Sequence, residues 1–166
     1  ATTLAGLGYR ECLTLALQPA AIAERDRALG FAIPAVVEIM NPLSDDQRYL
    51  RYAMLHAHLA MVARDRLRPY RTFEIGHVFF AEGEARPTEL NLALMLAATE
   101  RVEEPAWRST PYAALLSDVS ATIRALTGRT PEVKRAQIPW LHPGKTAALS
   151  IDGTIVSMVG VVDPRL

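Results

Sequence analysis

Asn41-Pro42-Leu43-Ser44-Asp45-Asp46-Gln47 opens the stretch that decides the fold, and Phe73-Glu74-Ile75-Gly76-His77-Val78-Phe79-Phe80 closes it. Between them lie Leu50-Arg51 and an Ala/Leu/Met-rich run to Ala63. Pro42 cannot sit inside a helix and restrains Asn41 to an extended conformation. Ser44 followed three residues later by Gln47 has the form of a capping box, and Asp45 and Asp46 place negative charge where the helix dipole favours it. The spacing predicts a capped helix of about six turns. From Tyr49 to Ala63 it is apolar almost all round, with Leu50, Ala53, Met54, Ala57 and Met61 on one side and Leu55, Leu59 and Val62 on another. Such a helix must be covered on more than one side, by a sheet and by a partner. The run Phe73–Phe80, interrupted by Gly76, predicts a central strand with a close backbone approach. Glu74 has no second carboxylate in view for acid–base work, and its expected role is structural, paired with an arginine such as Arg51.

Working outward, Glu11 to Leu17 reads as a strand leaving a Gly6-x-Gly8 turn. A dinucleotide loop would need a third glycine where Glu11 stands, so that reading fails. Pro19 opens a short helix through Leu29 with Gly30 as its stop, and Val36 to Met40 reads as a strand. Glu82-Gly83-Glu84 is a turn, Leu90 to Ala98 a second central strand, and Thr99 to Ser109 polar and irregular. Thr110 caps a helix from Pro111 whose Tyr112, Leu115, Leu116, Val119, Ile123 and Leu126 share one face, and Gly128 ends it. Pro131 to Ile138 is a strand, and Asp152-Gly153 predicts a tight hairpin between Thr146–Ile151 and Thr154–Val162. The resulting order, β-α-β-α-β-β-α-β-β-β, is that of an α+β domain, with helices flanking a mainly antiparallel sheet.

A chain of 166 residues, half of them apolar, fits one domain with a real core. Eighteen basic residues balance eighteen acidic ones, which argues against a main task of gripping phosphate backbone. The single Cys12 excludes an internal disulfide. No run reaches the roughly eighteen apolar residues of a membrane span, and no leader is visible, so a cytoplasmic setting is expected. The start without Met and the stop at Leu166 suggest a segment of a longer polypeptide.

Gly144-Lys145-Thr146 imitates the end of a phosphate-binding loop, but Pro139 occupies the position of the required glycine and a strand follows. His142 lacks neighbours at metal-ligand spacing and is expected to fix its loop by hydrogen bonding. His56 and His58 are two apart on a helix and diverge, so they cannot share a metal. His77 alternates outward within its strand, and Trp107 and Trp140 fall in loops. Arg64, Arg66, Arg68 and Arg71 gather near the end of the long helix. Either they complement its dipole, or they contact RNA phosphate or an acidic partner surface. Neither catalytic residues, cofactor-binding residues nor metal ligands are assigned.

The residues quoted first carry a resemblance. The pattern Asn41-Pro42-Leu43-Ser44, Leu50-Arg51, Phe73-Glu74-Ile75-Gly76 resembles the catalytic-like module of the bacterial phenylalanyl-tRNA synthetase β subunit. Gly8-Tyr9-Arg10-Glu11, Leu141-His142-Pro143-Gly144-Lys145-Thr146-Ala147-Ala148 and Val159-Gly160-Val161-Val162-Asp163-Pro164 follow in the family's order, so the similarity spans nearly the whole chain. Asp65 departs from the family's usual Asn, and the loop before the Phe73 strand is shorter. The resemblance implies a class II aminoacyl-tRNA synthetase fold, with Asn41, Pro42, Ser44, Arg51, Phe73, Glu74, Gly76, His142, Pro143 and Gly144 as structural motif residues. It further implies a non-catalytic module, 1–166, that docks the catalytic α subunit in an (αβ)2 phenylalanine–tRNA ligase charging tRNA(Phe). Leu50, Ala53, Met54, Ala57 and Met61 are the expected interface, and the fragment alone is expected to self-associate. No Gly-x-Gly-x-Gly-x-x-Arg motif is present, so ATP and Mg2+ are expected in the holoenzyme and no cofactor in this segment. The alternative is a stand-alone relative that binds ATP, an amino acid or an aminoacyl adenylate.

Overall fold

The computed structural model describes residues 1–64, 70–83, 87–98, 111–138 and 140–166. They fall into two compact units, one of residues 10–96 and one of residues 1–9 with 97–166.

In the first unit, β1 (Arg10–Glu11) runs parallel to β4 (Tyr70–Phe80), and β4 lies between β1 and β5 (Thr88–Ala98). The predicted Glu11–Leu17 strand is thus split into β1 and β2 (Leu17–Gln18). Pro19 precedes α2 (Ala20–Ala28), which stops at Gly30 with φ +79°, as its position implies. The expected Val36–Met40 strand is only a bridging segment, pairing Ala35 with Ala81 and Glu38 with Tyr49. Phe73, Val78, Tyr70, Tyr52, Met54 and Leu96 form the core. β4 is central as predicted, whereas β5 is the outer strand of its sheet among the described residues.

The six-turn helix is corrected. Asp45–Gln47 makes a single 3-10 turn, and Ser44 places no side-chain cap on it. The chain then extends into β3 (Tyr49–Leu50), and the helix proper, α3, is only Leu55–Arg64. Pairing explains the break: Leu17 and Gln18 register with Leu50 and Tyr49, Leu50 N–H donates to Val37 O, and Ile39 N–H donates to Arg48 O. These tertiary hydrogen bonds, and the burial of Arg51 described below, outweigh the weak preference of the 44–54 segment for helix. Leu50 is therefore a strand residue, and Ala53 and Met54 precede the helix.

In the second unit, α4 (Pro111–Thr127) packs on β8 (Thr154–Val162), and α1 (Thr2–Gly6) touches α4. The sheet order is β6 (Glu132–Arg135), β7 (Leu141–Ile151), β8, all antiparallel. Asp152 (φ +50°) and Gly153 (φ +80°) make the predicted tight turn between β7 and β8. Leu4, Tyr9, Val119, Ala147, Leu149 and Val159 are buried. Leu126, expected on the covered face of α4, is instead 74% exposed.

Candidate functional site

Two buried carboxylates organise the first unit, and α3 serves both. Glu74, in the middle of β4, is 1% exposed, and Asp26, in α2, is fully buried. His58 and His56, two apart on α3, point to opposite sides as the helical period requires. His58 Nε2 lies 2.9 Å from Glu74 Oε2, and His56 Nε2 lies 3.0 Å from Asp26 Oδ2. The buried positions of this helix are thus histidines, while Leu55, Ala57, Leu59, Met61 and Val62 are half-buried.

Arg51 is the second organiser. Its Nη1 donates to Glu74 Oε1 at 2.8 Å and to Thr14 Oγ1 at 2.7 Å, and its Nε donates to His77 O at 2.8 Å. Thr14 Oγ1 in turn donates to Glu74 Oε2 at 2.7 Å. Backbone bonds from Arg51 N–H to Ala16 O and from Phe79 N–H to Arg51 O fix the residue between two segments. The predicted Arg51–Glu74 pair is present and almost wholly desolvated. Burial pushes the Glu74 carboxyl up, but hydrogen bonds from Thr14, Arg51 and His58 and the Arg51 charge outweigh it and hold it below its usual value. Gly76 is where the guanidinium passes: a Cβ there would stand 2.6 Å from Arg51 Nη2 and 3.4 Å from Met54 Sδ. That is the close approach the glycine signalled.

At the other carboxylate, Tyr52 Oη donates to Asp26 Oδ2 at 2.8 Å. Arg25 Nη2 reaches Asp26 Oδ1 at 3.3 Å and donates to His56 Nδ1 at 3.0 Å, which assigns the ring proton to Nε2, facing Asp26. Burial lowers the His56 pKa, and Arg25 adds to the effect against the opposing pull of Asp26. The sign of the consequence follows. The unfolded chain takes up a proton near about pH 6.5 and the folded chain only at lower pH, so acidification through that window favours unfolding. Urea midpoints measured between pH 7.5 and 5.5 are expected to fall, and to fall less in His56→Gln. An equal slope in both proteins would contradict this assignment.

The remaining predicted residues divide. Asn41 and Ser44 are exposed and Pro42 half-buried in the loop before the 3-10 turn. His142 lies not in a loop but in the irregular first part of β7, where the register shifts between Leu141 and Thr146; there Gly144 N–H donates to its Nδ1 at 3.0 Å and Thr146 Oγ1 donates to its carbonyl. Pro143 and Gly144 are exposed. Nearby, Arg165 holds the Asp163 carboxyl down to about 2 through side-chain and backbone hydrogen bonds. His77 points outward and meets Glu89 at 3.4 Å. Arg64 is exposed and Arg71 half-buried, whereas Arg66, Arg68, Trp107 and the Thr110 cap lie outside the described residues. Of the expected interface, Met54 is buried in this unit, at 4% exposure. Leu50, Ala53, Ala57 and Met61 are half-buried. Sequence reading missed that Cys12 joins His58 and Glu74, because the three are far apart in the chain and come from the segment after β1, from α3 and from β4.

The network has the character of a scaffold, with every strong charge answered. The family model for the phenylalanyl-tRNA synthetase beta chain CLM domain matches residues 1–166. The chain belongs to that family. Among curated relatives, this CLM domain is 33% identical to the phenylalanine–tRNA ligase beta subunit of Aquifex aeolicus over 83% of the chain and 17% of that protein. It is 29% identical to that of Cereibacter sphaeroides (99% and 20%) and 31% identical to that of Aeropyrum pernix (98% and 28%). The chain thus spans between about a sixth and a quarter of the length of these relatives. Among solved structures, a pyrrolysyl tRNA synthetase, Desulfitobacterium hafniense PylSc, matches with a TM-score of 0.62 at 14% identity, covering 95% of this chain and 52% of that one. The fold is α+β and class II synthetase-like. The hollow lined by Glu38, Ile39, Met40 and Asn41 offers a carboxylate and no basic side chain, and Arg51 is committed to Glu74. Among the described residues, no helix is long and apolar enough to cross a membrane.

Proposed function

We propose that this CLM domain is a non-catalytic assembly module of a phenylalanine–tRNA ligase β subunit, which docks the catalytic α subunit in an (αβ)2 enzyme that charges tRNA(Phe) in translation. The observation that carries the reading is the family match along the whole chain, taken with the committed state of its buried charges. A phosphate-gripping site needs an arginine free to reach the ligand, and Arg51 is held by Glu74, Thr14 and His77. In this reading ATP and Mg2+ act at the α subunit, in the cytoplasm. The docking surface includes the half-buried apolar residues of α3, among them Ala57 and Met61, with Leu50 and Ala53 close by in sequence. Very exposed apolar side chains on the same unit, Leu13 at 83%, Met40 at 93% and Leu43 at 94%, support a surface that a partner covers. In such a surface Arg64 and Arg71 can meet an acidic partner or tRNA.

Calorimetry with ATP and with phenylalanine on this chain, its folding verified by near-ultraviolet circular dichroism, tests the non-catalytic assignment. Neither is expected to bind. Saturable heat with either ligand would favour a stand-alone adenylate-binding relative instead.

A further inference from the structure

Three donor atoms of different chemistry converge where the segment after β1 meets α3 and β4. Cys12 Sγ lies 3.7 Å from His58 Nε2, His58 Nε2 lies 2.9 Å from Glu74 Oε2, and all three ligand atoms fall within 4.8 Å of one another. Around a tetrahedral Zn2+, bond lengths of about 2.3 Å to sulfur and about 2.0–2.2 Å to nitrogen or oxygen set the donors about 3.4–3.6 Å apart. The sulfur–nitrogen spacing is nearly that already, the nitrogen–oxygen pair needs to open by about half an ångström, and the sulfur–carboxylate pair, within 4.8 Å, closes by up to about 1.2 Å. We propose that Cys12, His58 and Glu74 bind one thiophilic divalent cation of the Zn2+ class, with the fourth position open to water.

The surroundings are those of a prepared site. Glu74 is held on both oxygens, by Thr14 at Oε2 and by Arg51 at Oε1, which is how outer-shell donors orient a ligating carboxylate. The Arg51 charge opposes a cation, but a thiolate and a carboxylate together supply two negative charges to meet the metal's two positive ones. Without metal, burial and the Glu74 charge push the Cys12 thiol up, so the group waits protonated. Binding breaks the Sγ–H bond, forms the Sγ–metal bond and releases that proton to solvent. His58 Nε2 gives up its hydrogen bond to Glu74 and ligates through its lone pair, the ring proton moving to Nδ1. Access comes from the Cys12 side: the residue is half-buried, and its neighbours Leu13 and Leu15 are 83% and 67% exposed.

The test uses the native polypeptide that carries this chain, loaded with Zn2+ or Co2+ alone, beside Cys12→Ser and Thr14→Val. The wild type is expected to show a thiolate-to-cobalt absorption band in the near ultraviolet. Cys12→Ser is expected to lose that band and to bind one Zn2+ fewer per chain. Thr14→Val, which removes the outer-shell donor to Glu74 and an acceptor for Arg51 without touching a ligand, is expected to weaken Zn2+ binding about 10- to 100-fold. His58→Gln also removes the bond to Glu74, so the half-buried Cys12→Ser carries the test, with circular dichroism verifying its fold. A wild type without the band, or a folded Cys12→Ser with unchanged Zn2+ content and cobalt spectrum, would overturn the proposal.

Discussion

Replacing Arg51 with Met is expected to destabilise the protein by about 3–5 kcal/mol, enough to consume much of a typical domain's stability. The reason lies in what remains. Methionine fills much of the arginine's volume, so the cavity term is small, but Glu74 is left buried with its Oε1 unanswered. Thr14 and His77 O lose a donor as well, and with it one of the links between the 12–16 segment and β4. The double variant Arg51→Met/Glu74→Leu is expected to recover part of the loss, because it removes the stranded charge together with its partner. The check is chemical denaturation of the three variants at pH 7. A single variant within about 1 kcal/mol of wild type would mean that the pair carries far less than a desolvated ion pair should.

Several features were legible because they depend on local chemistry. Asp152-Gly153 accepts left-handed backbone angles, and a two-residue hairpin formed there. Pro111 and Gly128 bracket α4 to within a residue. Glu74 in a largely apolar run called for a cationic partner, and Arg51, the arginine named for it, fills that place. Gly76 signalled a crowded crossing, which is that same guanidinium.

The long helix was misread for an equally physical reason. Ser44, Asp45 and Gln47 carry every local sign of a helix start, yet Arg51 can reach Glu74 only if the chain around it is extended. A desolvated ion pair and the β2–β3 pairing outweigh a capping box worth about 1 kcal/mol. The apolar periodicity of residues 50–62 likewise hid the two histidines that the fold buries, because their carboxylate partners come from α2 and β4. The Cys12 group was illegible for the same cause. Its spacing resembles no metal motif, since its members come from the segment after β1, from α3 and from β4. Leu126 and Met54 show the limit of periodicity: one faces solvent and the other fills the core.

The largest effect on assembly is expected from acidic substitutions on the outer part of α3. Ala57 and Met61 are four apart, so they share a face, and both remain half-buried within the chain itself. A carboxylate introduced at a desolvated interface centre has no partner to answer it, at a cost of about 2–4 kcal/mol per site. That corresponds to about a 30- to 1,000-fold weaker association. Folding is expected to change little, since neither side chain belongs to the buried core. Met54→Asp is the contrasting control, because Met54 lies in that core and its substitution should unfold the domain. The most direct measurement is the dissociation constant between the α subunit and the β polypeptide carrying Ala57→Asp or Met61→Asp, beside its melting temperature. Lost association with an unchanged melting temperature is the predicted result, and wild-type affinity in both folded variants would contradict docking through this helix.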